Sequence, residues 1–119
     1  MRARLALLIV VCATSVVSAQ WLYLGYEQIA VAATSVGIAA TTLQPNGGNT
    51  QPQANVGVCR VAVAQIRWRV DGVAPTSAIG TLAEIGDVIP ISGADALQKF
   101  RMIRTTSTSA SVDCNVAQR

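Results

Sequence analysis

The sequence predicts an all-β protein, an antiparallel β-sandwich or jelly-roll-like single domain. Three observations carry that expectation. Ala110, Val112, Cys114 and Val116 alternate strictly with Ser111, Asp113 and Asn115, the period of a strand with one buried face. Ala64, Ile66, Trp68 and Val70 alternate in the same way with Gln65, Arg67 and Arg69. Around these runs, Gly, Pro, Asp and Ser clusters recur at short intervals and divide the chain into seven or eight short strands.

Taken in order, Gln20 to Ala33 reads as a strand that opens on the aromatics Trp21, Tyr23 and Tyr26 and places Ile29, Val31 and Ala33 on one face. Val36 to Leu43, rich in Thr and Ala, reads as a second strand. Gln44 to Gln53 is a loop. Pro45 and Pro52 lack the N–H a ladder needs, and Asn46-Gly47 is a favoured turn pair.

Val56 to Val70 is the strongest strand region. Val61 and Val63 lie out of phase with Ala64, Ile66, Trp68 and Val70. Either both faces are covered there or a bulge shifts the register. Trp68 belongs to the core by its phase. Asp71-Gly72 ends the run. Ile79 to Leu82 and Val88 to Ile91 are short strands about a Gly86-Asp87 turn, and Pro90 assigns the second to a sheet edge. Ser92 to Gln98 carries the chain's only helical hint, a single turn. Phe100 to Thr105 returns to strand, Thr105 to Ser109 turns, and the alternating run closes the sandwich.

Residues 1–19 read as a secretory signal peptide or, if uncleaved, an N-terminal apolar segment, and residues 20–119 as the β-sandwich domain. Arg2 and Arg4 form a positive head, Leu5 to Ala13 is an unbroken apolar run, and Val17-Ser18-Ala19 supplies small residues for cleavage before Gln20. The apolar stretch is short for a membrane span, which needs about 20 residues. No span is therefore expected in the mature chain. Cys12 sits inside the apolar run behind Val11, a poor context for lipidation.

Export changes both the charge and the cysteine count. The full chain carries 9 Lys+Arg and 6 Asp+Glu, and loss of Arg2 and Arg4 leaves a net charge of +1. A basic nucleic-acid surface is not expected from that balance. Cys59 and Cys114 remain. In an oxidising compartment an even pair reads first as a disulfide. Buried free thiols are the alternative. No C-x-x-C redox motif is present.

The chain has no histidine. Ser-His-Asp and Cys-His catalysis and histidine-ligated metal sites are thereby excluded. Charged residues make up 13%, about half the usual share. That argues against disordered charge-rich tails and coiled coils. Glu84, Asp87, Asp95 and Asp113 lack the spacing of a calcium loop, and Asp71 and Asp87 adjoin glycines where turn roles suffice. No catalytic residue, metal or other cofactor is expected. Gln28 to Cys59 is uncharged over 32 positions, a segment suited to strand exchange with a neighbour. Arg67, Arg69, Arg101 and Arg104 either converge on a basic face or decorate a solvated one. Trp21, Tyr23, Tyr26, Arg67 and Arg69 are the candidate interface residues. For the three aromatics a core role stays equally open.

The run from Ala64 to Leu82, AQIRWRVDGVAPTSAIGTL, is followed by Glu84-Ile-Gly-Asp-Val-Ile, by Leu97-Gln-Lys-Phe-Arg-Met-Ile-Arg and by Ala110-Ser-Val-Asp-Cys. Together these segments resemble small β-type structural proteins of tailed bacteriophages, over roughly residues 25 to 116. The resemblance implies a non-enzymatic virion-associated component, such as a head decoration or tail-associated protein, in a homo-oligomer or larger protein assembly. Its motifs are structural, so no functional residue is carried over. The export signal lies outside that pattern. It keeps open a secreted or cell-surface binding subunit, pilin-like, that assembles by strand addition. The expected location is accordingly extracellular or in a virion.

Overall fold

The computed structural model describes residues 22–45 and 53–119. The signal-like segment, Trp21 and the Asn46-Gly47 turn lie outside them. The elements follow as β1 (Leu22–Val31), α1 (Ala40–Leu43), β2 (Val56–Val63), β3 (Ile66–Arg69), β4 (Thr81–Ala83), β5 (Val88–Ser92), α2 (Ala94–Lys99), β6 (Arg101–Arg104) and β7 (Ala110–Gln118). The strands form two antiparallel sheets, one of four strands in the order β1-β7-β2-β5 and one of three in the order β4-β3-β6. The chain is an all-β sandwich. Among the described residues no helix is long and apolar enough to cross a membrane.

The closing strand is the axis of the larger sheet. Directly opposed residues share a face, and β7 sets Val112 between Ile29 and Val61 and Cys114 between Glu27 and Cys59. Ala110, Val112, Cys114 and Val116 are all buried, as the alternation requires. Cys59 and Cys114 form a disulfide with a Cα–Cα separation of 4.1 Å, and both are fully buried. The bridge joins two paired strands of one sheet rather than the two sheets. The smaller sheet contributes Ile66, Ala83 and Met102 to the same core, and Phe100 and Leu97 fill the space beneath α2. The Trp68 ring is half-buried and tilted against Phe100, with centroids 5.9 Å apart.

Pro90 sits in β5 at the edge of the larger sheet, as its missing N–H demands. The run Val56 to Val70 is two strands, one in each sheet. The phase change between Val63 and Ile66 marks the point where the chain leaves one sheet for the other, after a register shift between Val61 and Val63. Ala64 makes that corner with φ at 60°. This left-handed conformation costs a residue with a Cβ roughly 1–2 kcal/mol. Ala64→Gly is therefore expected to stabilise the fold by about 0.5–1 kcal/mol, after the greater chain entropy of glycine is deducted. A denaturant titration with an unchanged or lower midpoint would contradict this.

Three expectations need correction. Val36 to Leu43 is not a strand. Val36 makes one isolated bridge to Met102, and Ala40–Leu43 is a single helical turn. A strand would send Ile38 and Leu43, five residues apart, to opposite faces, whereas both are buried in the core. The Glu27 carboxylate holds the turn, accepting from the Ala39 N–H and the Thr42 hydroxyl at 2.9 Å each. Val70 is exposed rather than buried, because β3 ends at Arg69. The strand expected from Ile79 to Leu82 begins two residues later and spans Thr81–Ala83. Ile79 belongs to a turn in which its N–H bonds the Thr76 hydroxyl at 2.9 Å.

Candidate functional site

The outer face of the four-stranded sheet is built from the residues that alternate with the core. One row across it reads Tyr26, Asn115, Val58, Pro90, and the next reads Gln28, Asp113, Arg60, Val88. Tyr23, Tyr26, Val58, Val63 and Val88 are exposed on this face, and Tyr23 is the most open of the described aromatics at 60%. Single exposed apolar residues are ordinary on a surface. Several sharing one sheet face are not.

The two tyrosines are fixed in place. Tyr23 donates its hydroxyl to Asn115 Oδ1 at 2.6 Å, and Tyr26 donates to Asp113 Oδ1 at 3.0 Å. Both contacts run from β1 to β7, so each ring reaches toward the neighbouring strand while keeping more than half of its surface exposed. Gln28 makes a third cross-strand bond, to the Ser111 hydroxyl at 3.2 Å. The register between Tyr23 and Gly25 shifts by one residue, which turns both rings to the same face despite their odd spacing.

The hydrogen bond to Asp113, reinforced by desolvation and by the nearby negative charge, raises the Tyr26 pKa above its ordinary 10.0. The protonated phenol is the form the fold favours. Its contribution is complete below about pH 10 and is lost as pH rises through the elevated value. Asp113→Ala is expected to return Tyr26 to the ordinary range, as read by absorbance at alkaline pH. An unchanged titration curve would contradict this assignment.

Arg67 and Arg69 lie elsewhere, on the outer face of the three-stranded sheet. The structure therefore does not bring the five expected interface residues together. Tyr23 and Tyr26 share one face, Arg67 and Arg69 occupy the other side of the sandwich, and Trp21 is outside the described residues. Arg67 donates to the carbonyls of Ser77 (3.0 Å) and Gly80 (2.9 Å) and so holds the loop between β3 and β4. Arg69 pairs with Asp71, whose pKa is held below its usual value chiefly by that hydrogen bond. Arg101 donates to the carbonyls of Gln98 and Phe100. Arg104 stands opposite Ile66, on the other face of its strand from Arg101. Arg67, Arg69 and Arg101 share the outer face of the three-stranded sheet, with Arg69 directly opposite Arg101, and each of the three is bonded within the fold.

The carboxylates are dispersed. Asp87 accepts from the Glu84 N–H at 2.8 Å in the turn before β5, and Asp95 pairs with Lys99 along α2 at 3.0 Å. Asp113 lies on the tyrosine face. Among the described residues no three His, Cys, Asp or Glu side chains gather as a metal site would require. A cleft of about 300 Å³ opens between α1 and α2, lined by Ile38, Leu43, Gln98 and Arg101 among others. It contains no carboxylate or nucleophile, and its one cation is already bonded to backbone.

The sequence reading passed over Val58, Val63 and Val88. The signal was present in Val58, which lies out of phase with Cys59 and so had to face outward once Cys59 faced in. No known protein family, curated protein or solved structure matches the chain.

Proposed function

We propose that this protein is a non-enzymatic structural subunit that assembles with copies of itself or into a larger particle. The observation that carries this reading is the outer face of the four-stranded sheet. It gathers Tyr23, Tyr26, Val58, Val63 and Val88 on one surface whose only charges on the central rows are Arg60 and Asp113. An aromatic and aliphatic core with few charges is the composition of a protein–protein interface. The tyrosines are held by their hydroxyl bonds, so little side-chain freedom is lost on contact. The buried disulfide is compatible with an oxidising, extracellular setting. Together with the signal-like N-terminus and the phage-like motifs, it supports a virion-associated or comparable surface component.

A second reading, a secreted or cell-surface subunit that assembles by strand addition, is favoured by the open edge of β1. The uncharged segment from Gln28 to Cys59 is not the spare strand for such an exchange. Ile29, Val31, Ile38, Leu43, Ala54 and Val56 from it are buried in their own domain, so its deletion would remove part of the core.

The assembly reading is tested by sedimentation velocity over a wide concentration range. The chain is expected to form concentration-dependent multimers, and Val58→Lys is expected to weaken them at least tenfold without loss of folding. Multimers indifferent to a lysine at the centre of this face would contradict the role assigned to it.

A further inference from the structure

The sandwich has four sheet edges, and they are unequally protected. β5 has five residues and carries Pro90, and β4 has three. β6 is covered by Val36, which exchanges two backbone bonds with Met102 at 2.9 and 2.7 Å. β1 has ten residues and no proline. Among the described residues, none of its backbone groups bonds anything outside its ladder with β7. A long open edge of this kind is a template for another strand.

The register shows which groups are free. The short separation of Cys59 and Cys114 marks a pair that exchanges no backbone bonds. Val61, two residues on, agrees, because its N–H and C=O bond Asp87 and Gly86 on the β5 side. Cys114 therefore turns its N–H and C=O toward Glu27. Alternation along β1 then directs Glu27, Ile29 and Val31 to β7, and Tyr26, Gln28 and Ala30 to the open edge. Ala32, next in that series, confirms the direction by accepting from the Arg104 N–H at 3.1 Å.

We propose that β1 pairs antiparallel with β1 of a second copy across a two-fold axis at Gln28. This register sets Gln28 against Gln28 and Tyr26 against Ala30 of the second copy, and it alone satisfies all three outward-facing residues on both chains. The large Tyr26 side chain meets a small one, and no like charges are opposed. Glu27, the only charge on β1, is turned to the inner side and tied to α1. An edge that complements itself about a residue is what a two-fold interface requires. The two four-stranded sheets become one, and the tyrosine face becomes continuous across the seam. The inference rests on the assembly reading above and names its strand-to-strand contact.

Backbone amide exchange by NMR across a dilution series tests it on the unaltered chain. The amides of Tyr26, Gln28 and Ala30 are expected to slow at least tenfold as concentration rises, while those of Glu27, Ile29 and Val31 stay protected throughout. Gln28→Pro removes one edge donor without touching the β7 ladder, and is expected to raise the dimer dissociation constant at least tenfold. Multimers in which the three amides still exchange freely would overturn the edge contact and leave the assembly reading standing. Protection of all three in a monomer would mean that the chain's own residues cover the edge, which also overturns it. A monomer at every concentration would remove both.

Discussion

Reducing the Cys59–Cys114 disulfide is expected to lower the unfolding free energy by about 4 kcal/mol, the chain-entropy value for a loop of 55 residues. That loop contains β3, β4, β5, α2 and β6, the whole three-stranded sheet included. Without the bridge, the unfolded chain regains the freedom to separate this sheet from the strand that closes the other. Both sulfurs are buried at the centre of the larger sheet, so the open thiols gain no compensating contact with water. For a domain of this size the loss corresponds to a fall in melting temperature of roughly 20 °C. Denaturant titrations with and without reductant measure it directly. Coincident curves, with reduction verified by mass, would contradict the assigned role of the bridge.

Phe100→Ala is expected to cost about 3–5 kcal/mol. Phe100 is the largest fully buried side chain and sits between α2 and β6, against Trp68 and within the same core as Leu97 and Met102. Its removal leaves a cavity where the two helices' side of the core meets the smaller sheet. The Trp68 ring, already half-buried, loses its aromatic neighbour, so its fluorescence is expected to shift toward that of a solvated indole. Val88→Ala, on the exposed face of β5, is the matching control and is expected to change stability by no more than about 0.5 kcal/mol. Equal effects from the two substitutions would mean that the core is not where the burial pattern puts it.

Much of the fold was legible because a single periodicity ran undisturbed through the strands that matter. The alternation from Ala110 to Val116 identified the inner face of the central strand. The bridge itself was expected from an even cysteine pair in an exported chain, and the same alternation placed Cys114 on the buried face where the disulfide lies. Pro90 marked an edge through its missing N–H. The turn roles of Asp71 and Asp87 followed from the adjoining glycines, and Asp71 Oδ1 and Asp87 Oδ2 accept from nearby backbone N–H groups.

What was not legible depended on contacts between distant residues. α1 forms because the Glu27 carboxylate, 12 residues before Ala39, reaches its first turn. Nothing within Val36 to Leu43 announces that. The phase break near Val63 was visible, but its meaning was not. A bulge and a change of sheet leave the same mark in the pattern, and both occur here. The candidate site divided for a related reason. Tyr26 and Arg67 both alternate with core residues, yet the sequence does not say that their strands belong to different sheets. Nor does it say that Arg67 and Arg69 are engaged by a loop and by Asp71.

The central claim is that this sandwich is a subunit whose larger sheet is made to meet other copies. Its most direct test is the native mass of the purified, non-reduced chain, measured from dilute to concentrated solution. The account predicts masses at whole multiples of the subunit, with a dimer as the smallest assembly and a shift to larger species as concentration rises. A mass of one chain at every concentration, with the disulfide intact and the fold preserved, would contradict it.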